Sequence, residues 1–391
     1  AANYGTDRAA LVRSRHLLVA EIGSGGVDIS LLKKGATIAN YELPSGVSRV
    51  RQLLARLDGS REENLEAVEE YLDKEFAYVA RILPDLPLHD LFVINEGFAE
   101  LLRKMLARQD PESDCFRLQG RDVSRLLKQC RELPRRELAE FLEIEEEDAD
   151  NFTACLMLLA LLLRLAGKKH LFLLETSLAQ AVLAHRLSGK DEARHFDRQH
   201  QLLSLAAALG EKYHVDLPHA RQVARLSEAL FDHFSEPLGL KPEEKLYLLL
   251  AAHLHDLGIF IHNRGHQRHT EYLINSLSLF RLSEAEIRLI SGVARFHRRS
   301  LGRDREGAPS LVSPEAQLQA QKLGALLRAA NALDISHLGK VKRLAVEETG
   351  PGELTLTVQT RQGFLLEKAE FREKKILLEE LTGFRISLVA R

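Results

Sequence analysis

The sequence predicts an α/β plus all-α chain: a mixed sheet covered by helices, then a purely helical region, then a small α+β tail. Three observations carry this reading. Short alternating runs separated by glycine turns fill residues 17–43, and two buried-type strand runs recur among helices up to residue 174. From about residue 199 to 339 every periodic segment has helical spacing, and no strand of any length competes with it. From Val341 onward alternation returns on both sides of Gly350-Pro351-Gly352. The expected domains are therefore 1–188, 189–340 and 341–391, with the polar stretch from Ser188 to Arg198 as linker.

Each element has a local reason. Residues 16–22 are strand-like, Gly23-Ser24-Gly25-Gly26 is a turn, and residues 27–32 are the return strand. Lys34-Gly35 then turns the chain into a third strand, 36–43. A helix is expected over 60–81, where Leu65, Val68, Leu72, Phe76 and Val79 fall on one face. Residues 91–94 form a buried-type strand, several helices run to Leu165, residues 171–174 form another strand, and 176–187 a helix. The order β-β-β-α-β-α-β-α is that of an RNase H-like or actin-like half-domain. In the tail, runs 344–346 and 354–358 make a hairpin, 370–381 a helix and 384–389 a last strand. The acidic run 143–150 is expected to be a solvated face.

Composition narrows the function classes. Apolar residues make up 45% and charged residues 28% of the 391, which suits two to three globular domains. A net charge of -2 gives no global attraction to a nucleic acid duplex or a membrane, so any anion must be held locally. Cys115, Cys130 and Cys155 are scattered without CxxC spacing, which suits a reducing cytosol, with Cys155 a buried structural thiol. The start, Ala1-Ala2-Asn3-Tyr4, shows no signal pattern and no initiator Met, which points to a fragment or processed chain in the cytoplasm. The most apolar run, 155–163, is cut by Arg164 and falls far short of the ~20 residues of a membrane span.

Chemistry is expected among the histidines. Five of the sixteen lie between His253 and His269, with Asp256 among them, and neutral imidazole is the commonest protein metal ligand. His219 heads a stripe with Val223, Leu226 and Leu230. His255 and Asp256 end a buried-type helix over 244–257, and His269 lines up with Leu273, Leu277 and Phe280. A capping box from Ser283 to Glu286 opens a helix whose stripe is Ile287, Ile290, Ala294 and His297. Leu323, Leu327, Ala330 and Asp334 share one face of a helix starting near Pro314.

A single polar group on a core face is ordinarily a histidine bonded to a carbonyl. His253, His262, His266 and His337 stay in that class, or support the ligands. Five helices that each present a His or Asp are explained together by a shared cation. Four His and two Asp without a thiolate favour Mn, Fe, Zn or Mg over a structural zinc finger. Arg295, Arg298, Arg299, Arg303 and Arg305 surround His297, and Arg264 and Arg268 flank the histidine run. Guanidinium suits bidentate phosphate contact, a solvated basic loop being the alternative. Asp256, Arg268 and Arg298 are the catalytic candidates.

His219, His255-Asp256, His269, His297 and Asp334 resemble the H…HD…H…H…D signature of HD-superfamily metal-dependent phosphohydrolases. That resemblance implies two metal ions bridged by Asp256, with His219, His255 and Asp334 on one and His269 and His297 on the other. It implies hydroxide generation and clamping of a phosphoryl group.

A wider resemblance covers essentially the whole chain, strongly over 199–340 and weakly over 17–188. Residues 18–28 (LVAEIGSGGVD) resemble the second phosphate-binding hairpin of the exopolyphosphatase and guanosine pentaphosphate phosphatase family. Residues 42–49 (ELPSGVSR) and 176–183 (TSLAQAVL) are similar to later segments of the same domain, and 266–274 and 294–298 to its HD-containing region. The departures are specific: the first actin-like half-domain, with its phosphate loop and catalytic Glu, has no counterpart here. Glu21 stands for a strand Asp. The third phosphate loop falls at Ile94-Asn95-Glu96-Gly97-Phe98, where a carboxylate would repel phosphate. The Gly23–Gly26 turn is accordingly expected to be a plain hairpin turn.

The expected function is hydrolysis of a phosphoester or phosphoanhydride at a binuclear HD metal site, on a phosphorylated small molecule or polyphosphate. Two alternatives stand beside it: polyphosphate or pentaphosphate hydrolysis in the actin-like cleft, if the missing half is supplied, and a non-catalytic sensor of a phosphorylated ligand. A homodimer is compatible with either.

Overall fold

Alternating side chains build the first sheet. In the computed structural model, which describes residues 16–83, 86–95, 97–106, 115–174, 198–277, 282–297, 313–360 and 363–391, strands β1 (His16–Ile22), β2 (Val27–Lys33) and β3 (Ala36–Leu43) form an antiparallel meander. β4 (Asp90–Ile94) runs parallel to β1, and β6 (His170–Leu174) parallel to β4. The strand order is β3-β2-β1-β4-β6-β5.

The edge strand β5 (Cys115–Gln119), antiparallel to β6, was not expected from the sequence. It is only five residues long and carries Arg117 in its middle. Its pairing with β6, which no local pattern announces, is what defines it.

Leu18 and Ala20 on β1, Leu91 and Val93 on β4, and Leu171 and Leu173 on β6 turn one face of the sheet to the core. Helices cover that face. α1 (Val47–Leu54) follows the meander, and α2 (Arg61–Ile82) starts at Ser60, whose side chain and Glu63 complete a capping box. After β4 comes α3 (Ala99–Leu106), and after β5 come α4 (Gly120–Glu132) and α5 (Arg135–Leu142). α6 (Glu146–Leu165) is apolar on nearly all sides and buries Phe152 and most of residues 153–163, as expected of a helix at the centre of a core. Its first turn carries Glu146, Glu147 and Asp148, where carboxylates suit the helix N-terminus. Cys155 is buried in this helix, and burial pushes its thiol up to about 12. The expected helix over 176–187 lies outside the described residues.

The chain divides into two compact units, 1–197 and 198–391. In the second, helices α7 (Arg198–Lys212), α8 (Leu217–Phe234), α9 (Glu244–Leu254), α10 (His266–Ser276), α11 (Glu284–Phe296) and α12 (Pro314–Ala332) are followed by an α+β element. That element is the hairpin β7 (Val341–Gly350) and β8 (Glu353–Thr360), then α13 (Leu365–Lys374), α14 (Ile376–Thr382) and β9 (Arg385–Ala390), which runs parallel to β8.

The sequence suggested separate helical and terminal domains. Instead Leu356, Val358, Phe371, Leu378 and Ile386 share one hydrophobic core with Leu323, Leu326 and Leu327 of α12. The tail has too little apolar surface of its own to close a separate core. The expected helix over 370–381 is two helices, broken at Lys375, whose ammonium bonds Glu379 at 2.8 Å and the Ile386 carbonyl at 2.5 Å. Among the described residues, no helix is long and apolar enough to cross a membrane.

Candidate metal centre

The candidate ligands sit at helix ends. His255 is the C-cap of α9 and His297 the C-cap of α11; His266 opens α10 after Gly265, whose φ is 73°. The last carbonyls of a helix lack intrahelical partners. The His255 Nδ1–H donates to the Ala252 carbonyl at 2.8 Å, and the His297 Nδ1–H to that of Ala294 at 2.5 Å. His266 repeats the pattern by donating to the Asn263 carbonyl at 2.9 Å. His219, in the first turn of α8, donates its Nδ1–H to Asp334 Oδ2 at 2.8 Å. A carbonyl or carboxylate oxygen only accepts, so all four protons reside on Nδ1. In the neutral tautomer each ring then presents a bare Nε2 lone pair.

Those lone pairs converge on Asp256, next to His255 in a buried turn. Asp256 Oδ1 lies 3.3 Å from His266 Nε2 and 3.7 Å from His297 Nε2, and Oδ2 lies 3.4 Å from His255 Nε2. The Nε2 atoms of His266 and His297 face each other at 3.0 Å. Two lone pairs at that distance repel unless a cation lies between them. The Nε2 atoms of His219 and His255 are buried without a hydrogen-bond partner. Each orphaned buried group of this kind costs about 1–3 kcal/mol.

Among the described residues, two groups could hold an ion: Asp256, His266 and His297, and Asp256, His219 and His337, each with ligand atoms within 4.8 Å of one another. Bonds of about 2.1 Å place neighbouring ligand atoms about 3.0–3.4 Å apart. The His266–His297 and His266–Asp256 separations of 3.0 and 3.3 Å match that spacing, and the His297–Asp256 separation of 3.7 Å is slightly wider. Donors of this kind, imidazole and carboxylate, suit Mn, Fe, Zn or Mg. Burial holds the His255 ring below its usual range and lowers His297 to about 3, so these rings are neutral and able to ligate. Burial alone would raise Asp256, but His255, His266 and His297 around it hold its carboxyl well below the carboxylate range.

Two sequence expectations are corrected. His269 is in neither group; it lies half-buried with Leu273 and Leu277, while the buried face of α10 is His266, Thr270 and Ile274. The stripe through His269 is the flank of that face. The polar side chains of Thr270 and Glu271 disguise the face itself. Asp334 is not among either group's donors. The helix ends at Ala332, and Asp334 instead accepts from His219 through Oδ2 and from the Gly339 N–H, 2.8 Å away, through Oδ1. It fixes the His219 ring, the part a carboxylate plays behind a histidine that binds a metal.

His337 stands in that group, stacked on the His219 ring at 3.5 Å and 8°. The α8 N-cap Asp216 orients both residues, accepting from the His219 backbone N–H and from His337 Nδ1, each at 3.1 Å. Of the arginines, Arg268 is exposed, and Arg295 is committed to an ion pair with Glu271. Arg298, Arg299, Arg303 and Arg305 lie outside the described residues.

Backbone packing holds the His255-Asp256 turn. A Cβ on Gly258 would lie 2.1 Å from the His266 carbonyl oxygen and 2.4 Å from the Thr270 nitrogen, so only glycine fits. The Thr270 hydroxyl accepts from the Gly258 N–H and donates to the His255 carbonyl, both at 2.9 Å. This single side chain locks α10 to the turn that carries Asp256.

Residues 202–379 match the family model described as Ppx/GppA phosphatase, domain III. Over this region, under half of the chain, the sequence is similar to the Ppx/GppA family. A guanosine-5'-triphosphate,3'-diphosphate pyrophosphatase of Pseudoalteromonas translucida (strain TAC 125) is 32% identical over 107 residues, 26% of this chain and 22% of that one. A protein of the same name from Aliivibrio fischeri (strain MJ11) is 26% identical over 146 residues, 36% of this chain and 29% of that one. The chain thus spans less than a third of the length of these curated relatives. Among solved structures, an exopolyphosphatase from Cytophaga hutchinsonii ATCC 33406 matches with TM-score 0.39 and 21% identity, over 46% of this chain and 59% of that one. The Aquifex aeolicus Ppx/GppA phosphatase matches with TM-score 0.39 and 17% identity, over 46% and 62%.

In the first unit, the glycine turn binds its own helix. The Val47 N–H donates to the Gly23 carbonyl at 3.0 Å and the Ser48 N–H to that of Ser24 at 2.9 Å. A Cβ on Gly46 would lie 2.4 Å from the Gly26 nitrogen. Asn95, where the third phosphate loop was expected, spans Ile22 and Phe98 with its side chain.

Proposed function

We propose that the second unit is a metal-dependent phosphohydrolase of HD type, cleaving a phosphoester or phosphoanhydride at two divalent ions that share Asp256. One observation carries the reading: the two oxygens of one buried carboxylate face opposite sets of imidazoles whose Nδ1 protons are already donated. His266 and His297 would hold one ion, and His219, His255 and His337 the other. When bound, the ions would supply hydroxide at neutral pH and neutralise the phosphoryl oxygens. The chain's own part is to keep Asp256 anionic, to fix each ring through Nδ1, and to pin the turn through Thr270.

Similarity to a phosphatase family supports the reaction class, and the relatives' names point to polyphosphate or a guanosine pentaphosphate as substrates to try first. The order of three antiparallel and two parallel strands supports an RNase H-like reading of the first unit. The engaged N–H groups of Val47 and Ser48 favour the second unit as the site of chemistry.

The test is a panel of polyphosphate, nucleotide and phosphomonoester substrates, with and without Mn, on the wild type and Asp256→Ala. Mn-dependent turnover lost in the variant is expected. Turnover unchanged in Asp256→Ala, or a protein that takes up no metal, would overturn the proposal.

A further inference from the structure

Beside the metal centre, Arg328 of α12 is 5% exposed, and its Nε and Nη1 have no hydrogen-bond partner. Glu370 acts on this guanidinium through its charge, but buried N–H donors left without an acceptor are unfavourable, and native structures seldom keep them without a use. Three residues along the chain, Asn331 is 8% exposed, and its side-chain oxygen is equally unpartnered. Both line a cavity of about 230 Å³ whose walls also include His297, Glu370 and Lys374. The cavity is thus polar, roomy and bounded on one side by a ring of the metal-binding set. Its charged walls are two cations and one carboxylate, and Glu370 is already paired with Lys374 at 3.2 Å. The net charge left over is positive.

We propose that this cavity is a phosphate-binding subsite, in which Arg328 donates to phosphate oxygens, the Asn331 oxygen accepts from a phosphate hydroxyl, and Lys374, shared with Glu370, adds positive charge. Guanidinium is the side chain best suited to phosphate oxygens. Because His297 is common to both places, a phosphoryl group held here borders the metal centre. As a substrate subsite the cavity rests on the metal-centre reading; as a phosphate site it stands without it. Free phosphate and the phosphoryl group of a larger substrate share this chemistry, so orthophosphate and tripolyphosphate are both used as probes.

The experiment is calorimetric titration of the full chain with each probe, with and without Mn, on the wild type, Arg328→Met, Lys374→Met, Glu370→Gln and Asp256→Ala. Saturable one-to-one binding is expected in the wild type. Arg328→Met should weaken it about 10- to 150-fold, the range for hydrogen bonds to a charged group. Lys374→Met should weaken it several-fold, and Glu370→Gln should tighten it by removing the opposing carboxylate.

Should Arg328→Met fail to fold by near-ultraviolet circular dichroism, the last two variants decide the matter, since one must lose affinity and the other gain it. Binding retained in metal-free Asp256→Ala supports the subsite even if hydrolysis is absent everywhere, which would sink only the metal-centre reading. Binding abolished by Asp256→Ala but untouched in the cavity variants would place the anion on the metals and overturn the subsite. No saturable binding in the wild type would overturn it as well. Tripolyphosphate binding much tighter than orthophosphate supports a substrate phosphoryl group as the occupant, and equal binding supports free phosphate.

Discussion

His266 and His269 lie one helical turn apart, and only one of them faces Asp256, so exchanging each for alanine tests the geometry directly. The His266 Nε2 is 3.3 Å from Asp256 and 3.0 Å from His297, whereas His269 is in neither ligand group. Loss of a group that merely orients a metal ligand costs about 10–100-fold in affinity. Loss of a ligand itself should reach about 100-fold or more. With Mn at about 100 times its Kd, the wild type gains about 2.7 kcal/mol; a 100-fold weaker site gains only about 0.4 kcal/mol. A unit of about 150–250 residues shifts by about 2–4 °C per kcal/mol. The Mn-induced rise in Tm should therefore shrink by about 5–9 °C in His266→Ala. In His269→Ala it should be unchanged within about 1 °C. Thermal scans with and without Mn, beside competition against a chromophoric chelator, read both numbers. If His269→Ala loses the Mn response while His266→Ala keeps it, the assignment of α10's inner face is wrong.

Three other perturbations follow from the same contacts. Thr270→Val keeps the shape but strips the hydroxyl that joins Gly258 to His255, leaving two buried backbone groups unpaired; a loss of about 1–3 kcal/mol in urea unfolding is expected. Asp334→Asn should weaken Mn binding about 10–100-fold while the far-ultraviolet spectrum stays unchanged, because it disturbs the orientation of His219 without removing a ligand. Glu286 accepts from the Ser283 N–H and hydroxyl, Tyr247 and Arg198. Burial would raise its carboxyl, but these donors hold it at about 2. A depressed folded value means stability that is present above the unfolded pKa of about 4.5 and lost as pH falls toward 2. Glu286→Gln should therefore flatten the stability profile between those pH values, and an unchanged slope would refute the account.

Local patterns were enough to read the meander, α2 and its capping box, and the helices that carry His219, His255 and His297. These are elements whose apolar spacing is set by the core they face. The sequence misled where tertiary partners decide. β5 is a strand because β6 lies beside it, and its Arg117 blurs the alternation. The inner face of α10 holds Thr270 and Glu271, each satisfied by a partner from another element, so an apolar-stripe reading slides one residue row to His269. Asp334 lies past the end of α12, where helical periodicity no longer says which way a side chain points. His337, with φ 58°, sits in a turn conformation that no periodic argument reaches.

The two units differ in what their polar groups lack, and that difference is the argument for the proposed site. A phosphate cradle works by offering N–H donors that nothing else has taken. In the first unit the α1 donors of Val47 and Ser48 are spent on Gly23 and Ser24, and Gly46 is pressed against the turn too closely to admit a Cβ. In the second unit the shortage is reversed. Four imidazoles have given up their protons to carbonyls or to Asp334, and their remaining nitrogens crowd a carboxylate that is itself only an acceptor. No rearrangement of rotamers repairs this, because the Nδ1 bonds fix each ring. Protons alone are a poor remedy, since burial holds His255 and His297 neutral. A buried set of acceptors with no donors is what a multivalent cation satisfies, and Arg328 beside it presents the complementary want, guanidinium N–H groups at Nε and Nη1 with no acceptor. A ligand carrying negative phosphoryl oxygens, set between cations and guanidinium, answers both shortages at once.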